Sequence, residues 1–187
     1  VAAVSNKELV DIAKQDANDS KKEAAQLQQD EWDAQQLGEQ KTIEANKKIA
    51  EGDEILKNAQ NITNEEEKNK EIEKGNAIKA EGENELATAK KILVLANSLK
   101  EDAANKQKEA ILNEQYANEL EKININKNKN NAESLAKLDD LQKQIAALSN
   151  KEKGSDNIYK SIKENVEQKE KELAIVEKKD KTINTTI

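Results

Sequence analysis

Every seventh residue of one long stretch is glycine or alanine. A helix that is slightly under-wound to 3.5 residues per turn returns to the same face every seven residues, so these residues form one stripe. Alanine is a good helix former and could fall on any face, but an unbroken run on a single face favours close helix packing. The stripe therefore predicts a seam where two helix backbones approach closely. Its residues are Gly75, Gly82, Ala89, Ala96, Ala103, Ala110 and Ala117.

The preceding segment carries a matching stripe with a single large residue, Glu31. Folding the chain back near residue 63 places Ala45 opposite Gly82 and Gly52 opposite Gly75. This arrangement predicts an antiparallel helical hairpin whose seam is built from small residues. The first stripe consists of Ala17, Ala24, Glu31, Gly38, Ala45, Gly52 and Ala59.

The predicted helices span residues 5–61, 65–123 and 132–185, with a kink at 150–156. Ser5 and Glu8 have the spacing of a capping box, and either Thr63 or Asn64 is suited to cap the second helix. The asparagine-rich segment 124–131 is predicted to be a turn, although a continuous helix would also preserve the seven-residue phase through it.

The last segment replaces the small residues with large aliphatic ones at spacings of three and four. It is expected to lie beside the hairpin or to pair with another chain. The fold prediction is thus an all-α, elongated antiparallel bundle, or coiled coil, of three long helices in a single domain, residues 1–187. The stripe contains Leu138, Leu141, Ile145, Leu148, Tyr159, Ile162, Val166, Leu173, Val176, Ile183 and Ile187.

Composition agrees with long, thin helical packing. Of the 187 residues, 37% are charged, only 2% are aromatic and none is proline, which would interrupt a helix. The net charge of −7 argues against nucleic-acid binding, which needs a basic surface. No apolar run is long enough for a transmembrane helix. A chain that begins at Val1 and contains no methionine is expected to be a processed product or a fragment.

The residue types needed for common catalysis are missing. Without histidine or cysteine, histidine-based acid–base catalysis, serine and cysteine triads and the common zinc sites are excluded. No glycine-rich phosphate-binding motif occurs. The acidic run Glu65–Glu67 suits a helix N-terminus better than a metal. We therefore predict a non-enzymatic protein with no catalytic, cofactor-binding or metal site.

Two residues are candidate contacts for a protein partner, Trp32 beside the seam and Ile62 in the first turn. Trp32 could instead pack under the third helix. Two functions are considered first. The chain is either a rigid helical rod that serves as a surface component, spacer or filament subunit and associates with copies of itself, or a monomeric adhesin or receptor-binding module that contacts a surface partner. A cytosolic coiled-coil adaptor or chaperone is a third, weaker alternative.

The sequence resembles antiparallel helical rods in general, as in structural and surface proteins of low-GC bacteria, which implies a class and not an activity. The absence of cysteine fits an extracellular, cell-surface or periplasmic location. It fits a cytoplasmic scaffold nearly as well.

Overall fold

The computed structural model describes residues 6–125 and 131–186, and the side chains among them except 176, 177 and 179–186. Within these residues the chain is all-α and contains no strand, which confirms the predicted class. The four helices are α1 (Asn6–Ala59), α2 (Glu65–Ile125), α3 (Ala132–Ser149) and α4 (Ser155–Thr186).

The prediction of three helices is wrong because the expected third helix, 132–185, is two helices. Residues 150–154 separate α3 from α4, so the expected kink is a full interruption. Gly154 has φ of 62°, a left-handed conformation that glycine adopts without the steric cost of a Cβ. Residues of the predicted a/d stripe are buried on both sides of the break, Leu138 in α3 and Tyr159 and Val166 in α4.

In the first turn, the backbone N–H groups of residues 60–62 donate hydrogen bonds to the last carbonyls of α1. The N–H of Ile62 donates to the carbonyl of Ala59 at 3.2 Å. The N–H of Glu67 donates to the Asn64 side-chain oxygen at 3.1 Å, so Asn64, rather than Thr63, caps α2. Three glutamates in the first turn of α2 suit its positive end.

The second predicted turn falls largely on residues 126–130, which lie outside the described residues. α2 extends to Ile125, two residues further than expected, and α3 begins after Asn131. They are therefore two helices rather than one. Ser5 of the predicted capping box also lies outside the described part of the chain.

The chain divides into two compact units. The first contains α3, the part of α1 up to Asp33 and the part of α2 from Ala96 onward. Its apolar core joins all three helices. Leu138 is the buried residue that α3 contributes to this core. The cluster consists of Val10, Ala13, Ala117, Leu120 and Leu138.

The second unit contains the rest of α1 and α2, which meet at the first turn, together with α4 from Asp156. Small residues supply much of its core, and three of its alanines have no exposed surface. The bulkier buried side chains are Ile92 and Tyr159, exposed by 0% and 2%. The alanines are Ala34, Ala45 and Ala89.

Candidate functional site

In the second unit, the helix backbones of α1 and α2 touch at glycines. A Cβ added to Gly52 would lie 2.8 Å from the carbonyl oxygen of Gly75 and 2.8 Å from the backbone nitrogen of Lys79. A Cβ at Gly82 would lie 2.9 Å from the carbonyl oxygen of Ala45. Real Cβ contacts are longer than this, so a methyl group has no room at either position.

Gly38 and Gly75 face side chains more than backbone. A Cβ at Gly38 would meet the Leu93 side chain at 2.6 Å, and one at Gly75 would meet Leu56 Cγ at 2.9 Å. Leu93 thus occupies the space that a residue larger than glycine would take at position 38. The aliphatic side chains that flank the stripe therefore fill the gaps left by its glycines.

The alanines of the α2 stripe are buried throughout. Ala89 in the second unit has no exposed surface. In the first unit the four stripe alanines are exposed by 3% or less. Burial on one face at every seventh residue is the geometry expected of a helix seam. These four are Ala96, Ala103, Ala110 and Ala117.

Lysine–carboxylate pairs between α1 and α2 flank the stripe on its exposed edges. Lys14 Nζ lies 2.7 Å from Glu121 in the first unit. In the second unit Lys79 Nζ lies 2.9 Å from Asp53, on the same helix pair. The hydrogen bond to Glu121 raises the pKa of Lys14 above its ordinary value, and the bond to Asp53 does the same for the pKa of Lys79.

Lys48 of α1 forms ion pairs with two glutamates of α2 in the second unit. Its Nζ lies 3.0 Å from Glu81 and 2.5 Å from Glu85. Partial burial opposes the charged form, but the hydrogen bonds to Glu85 and Glu81 outweigh it and raise the pKa of Lys48. One lysine of α1 thus bridges two glutamates, one turn apart, on α2.

The two candidate partner contacts differ in accessibility. Trp32 is 60% exposed, so most of its indole faces solvent. Ile62 is half-buried in the turn between α1 and α2. Exposure makes Trp32 available for contact, and Ile12 and Ile43 of the same helix are exposed as well.

A polar cluster that was not predicted from the sequence fixes the α3–α4 connection to α2 in the first unit. Asp102 is 4% exposed. Its Oδ1 accepts the backbone N–H of Lys153 and its Oδ2 accepts that of Ser155, both at 3.4 Å. We call this cluster the polar junction. It comprises Asp102, Lys106 and Glu109 of α2 with Ser149, Glu152, Lys153 and Ser155.

Lys106 is the cation at the centre of the polar junction. Its Nζ lies 2.9 Å from Glu23 of α1, 3.1 Å from Glu109 and 2.5 Å from Glu152. The buried Glu109 also accepts a 2.6 Å hydrogen bond from the Ser149 hydroxyl. Burial opposes the charge on Lys106, but its three carboxylate partners together hold its pKa far above the ordinary value.

A sequence signal for the polar junction was present. Glu152 and Ser155 interrupt the aliphatic a/d stripe of the last segment, and Ser155 is 1% exposed. Asp102, Lys106 and Glu109 are spaced by four and three, which places them on one face of α2. Polar residues at core positions of two helices predict a polar layer between them. Buried polar groups need hydrogen-bond partners, and these residues can supply partners for one another only where the two stripes meet.

The described residues contain no group of three or more carboxylate, histidine or cysteine side chains arranged to hold a metal ion. Among the same residues, no helix is both long and apolar enough to cross a membrane. Comparisons with protein-family models, curated proteins and solved structures found no significant match to this chain.

Proposed function

We propose that this chain is a non-enzymatic structural or interaction protein. In this proposal its long helices serve as a rigid spacer, a surface component or the subunit of a filament. The observation that carries the proposal is the contact between Gly52 and Gly75, where two helix backbones meet without intervening side chains. Such contact leaves little freedom for the helices to slide or bend, because a packed interior resists changes of even one methylene group.

The surface chemistry supports the same role. Ion pairs along the exposed edges of the seam, such as Lys14–Glu121 and Lys79–Asp53, join the two helices. Each exposed pair contributes little to stability. Their value lies in solubility and in fixing which residues face one another, since a shifted register would separate these paired charges. A spacer or filament subunit needs that fixed geometry more than it needs a cavity.

Sedimentation equilibrium over a dilution series tests the assembling form of this proposal. A filament subunit has an average mass that rises with concentration above the 20.9 kDa of one chain. A mass that stays at one chain at all concentrations contradicts the filament form. That result would leave the spacer and the monomeric binding module, which the next measurement separates.

The exposure of Trp32 favours a second candidate, a monomeric surface-exposed adhesin or receptor-binding module. Tryptophan is enriched among the residues that dominate binding energy in protein interfaces. In this case Trp32→Ala should reduce adhesion of the purified chain to target cells. Ile12→Ala is the matched control, because Ile12 is also on α1 and is 52% exposed. Ile62→Ala tests the turn in the same assay, and equal adhesion of all variants would contradict the binding role.

The proposal includes an extracellular, cell-surface or periplasmic location, with the cytoplasm as the alternative. A chain without cysteine has no thiol to be oxidised or mispaired in such a compartment. Antibody labelling of intact against permeabilised cells distinguishes the two locations.

A further inference from the structure

Two different kinds of contact hold α3 and the residues that follow it to α2. Near its start, α3 is held by apolar packing, with Leu138 buried in the cluster formed with Val10, Ala117 and other residues. At its end, the chain from Ser149 to Ser155 is held by the polar junction. The end of α3 and the start of α4 are therefore attached through polar and charged groups. The rest of α3 combines the apolar contact of Leu138 with polar contacts from Ser134 and Lys137 to Glu119 of α2.

We propose that the polar junction is a charge-dependent latch. Ionised Asp102 holds the start of α4 against α2, and neutralising Asp102 releases the 150–155 segment while α3 stays attached through Leu138.

The latch follows from how a carboxylate accepts hydrogen bonds. In the ionised form both oxygens are acceptors, and Asp102 uses one for the N–H of Lys153 and the other for the N–H of Ser155. In the neutral acid the negative charge is gone, and the protonated oxygen becomes a donor and a weaker acceptor, so the hydrogen bonds from both backbone N–H groups weaken. The negative charge also favours the positive N-terminus of α4, which begins at Ser155.

The connection itself is built to move when the latch opens. Gly154 has φ of 62° and its α-carbon faces open space, since an added Cβ would meet nothing within 4 Å. Residues 150–154 are all exposed. Within residues 150–155 the buried residue is Ser155, whose backbone N–H is bonded to Asp102. The exposed residues of the segment also form the ion pairs Glu152–Lys106 and Lys153–Glu101.

The charged groups around Asp102 are lysines and carboxylates from α1, α2 and the 150–154 connection. Lys106 stays cationic in acid and neutral solution, because its carboxylate partners raise its pKa. Lys153 is also cationic, and its hydrogen bond lowers the pKa of Glu101, so this exposed pair persists to lower pH than an unpaired glutamate would allow. The carboxylates of this cluster are Glu23, Glu101, Asp102, Glu109 and Glu152.

Asp102→Asn tests the latch at neutral pH, because asparagine keeps the shape of aspartate without its charge or its second acceptor oxygen. Hydrogen exchange followed by NMR should show protection factors at Lys153 and Ser155 about tenfold lower than in the wild type, the size expected for losing a hydrogen bond to a charged group. Protection at Leu138 should be unchanged. Asp139→Asn is the matched control, since Asp139 is exposed on α3 and pairs with Lys143 of the same helix.

A second measurement on the wild type needs no mutation. As the pH falls from about 7 to about 3, across the titration range of carboxylic acids, protection at Lys153 and Ser155 should fall before that at Leu138. In Asp102→Asn the same two amides should already be weakly protected at neutral pH. Unchanged protection of the two amides in this variant would overturn the proposal. Equal loss at Leu138 would also overturn it, because it would indicate general destabilisation.

Discussion

Replacing Gly52 with alanine tests whether close packing of the two helices, rather than helix propensity alone, decides the effect of a residue on the stripe. In an exposed helix this substitution stabilises by about 1 kcal/mol, because glycine is the weaker helix former. At Gly52 the new methyl group would lie 2.8 Å from both the Gly75 carbonyl oxygen and the Lys79 backbone nitrogen. These atoms belong to a helix backbone and cannot rotate away, so the two helices must separate.

The expected magnitude follows from these opposing effects. Overpacking a well-filled interior costs about 1–3 kcal/mol, and the upper half of that range applies where backbone blocks the added atom. Subtracting the gain of about 1 kcal/mol in helix preference leaves a net loss of about 1–2 kcal/mol. For a chain of this size the midpoint of thermal unfolding should fall by about 3–6 °C.

Circular dichroism at increasing temperature measures this change, and Gly38→Ala is the matched control. At Gly38 the nearest atoms are Leu93 Cδ2 and Cγ, at 2.6 and 2.7 Å, and a side chain can move where a backbone cannot. The loss at Gly38 should therefore be smaller, and adding Leu93→Ala should relieve the clash, which is tested against Leu93→Ala alone. A rise in the unfolding midpoint of Gly52→Ala would refute the seam.

Three further predictions use the same structure. Ala103→Leu should destabilise the fold by about 1–3 kcal/mol because Ala103 is buried, whereas Ala104→Leu at the neighbouring exposed position should be nearly neutral in urea unfolding; equal effects would contradict the stripe. The raised pKa of Lys48 means that its contribution to stability is fully present below its ordinary pKa of 10.5 and is lost as the pH rises through the higher folded value. The urea midpoint of the wild type should therefore fall more steeply in strong alkali than that of Lys48→Gln, and parallel curves would argue against the pairing. The emission of Trp32, the only tryptophan, should be that of a solvent-exposed indole in dilute solution and should shift to shorter wavelength if assembly covers this face.

The seven-residue periodicity made the all-α fold class and the small-residue stripes predictable, because residues seven apart in a helix lie on the same face. The expected pairing of Gly52 with Gly75 and of Gly82 with Ala45 also needed only the position of the first turn. Gly38 shows where the pattern stops being informative. Folding the chain back near residue 63 also puts Gly38 opposite Ala89, yet the nearest neighbours of Gly38 are Leu93 and Ile92, since side chains reach past the residue directly opposite.

The break in the last segment was harder to predict. Leu148 and Tyr159 keep the same phase across it, and phase alone cannot distinguish a continuous helix from two separate ones. Trp32 posed a similar difficulty, because its solvent exposure depends on which flank of the hairpin the later helices cover. Both outcomes depend on contacts between segments that are distant in sequence.

The sequence by itself determined that this protein is helical and which stripe of α1 and of α2 carries small residues, with Glu31 as the large residue in the stripe of α1. Those properties depend on local geometry and on residue size, which a linear pattern records. Only the tertiary structure decided that the last segment is interrupted and where it is attached. Asp102 meets Ser155 and Lys106 meets Glu152 across a large separation in sequence. Which polar and charged side chains pair in this way depends on which surfaces meet in space.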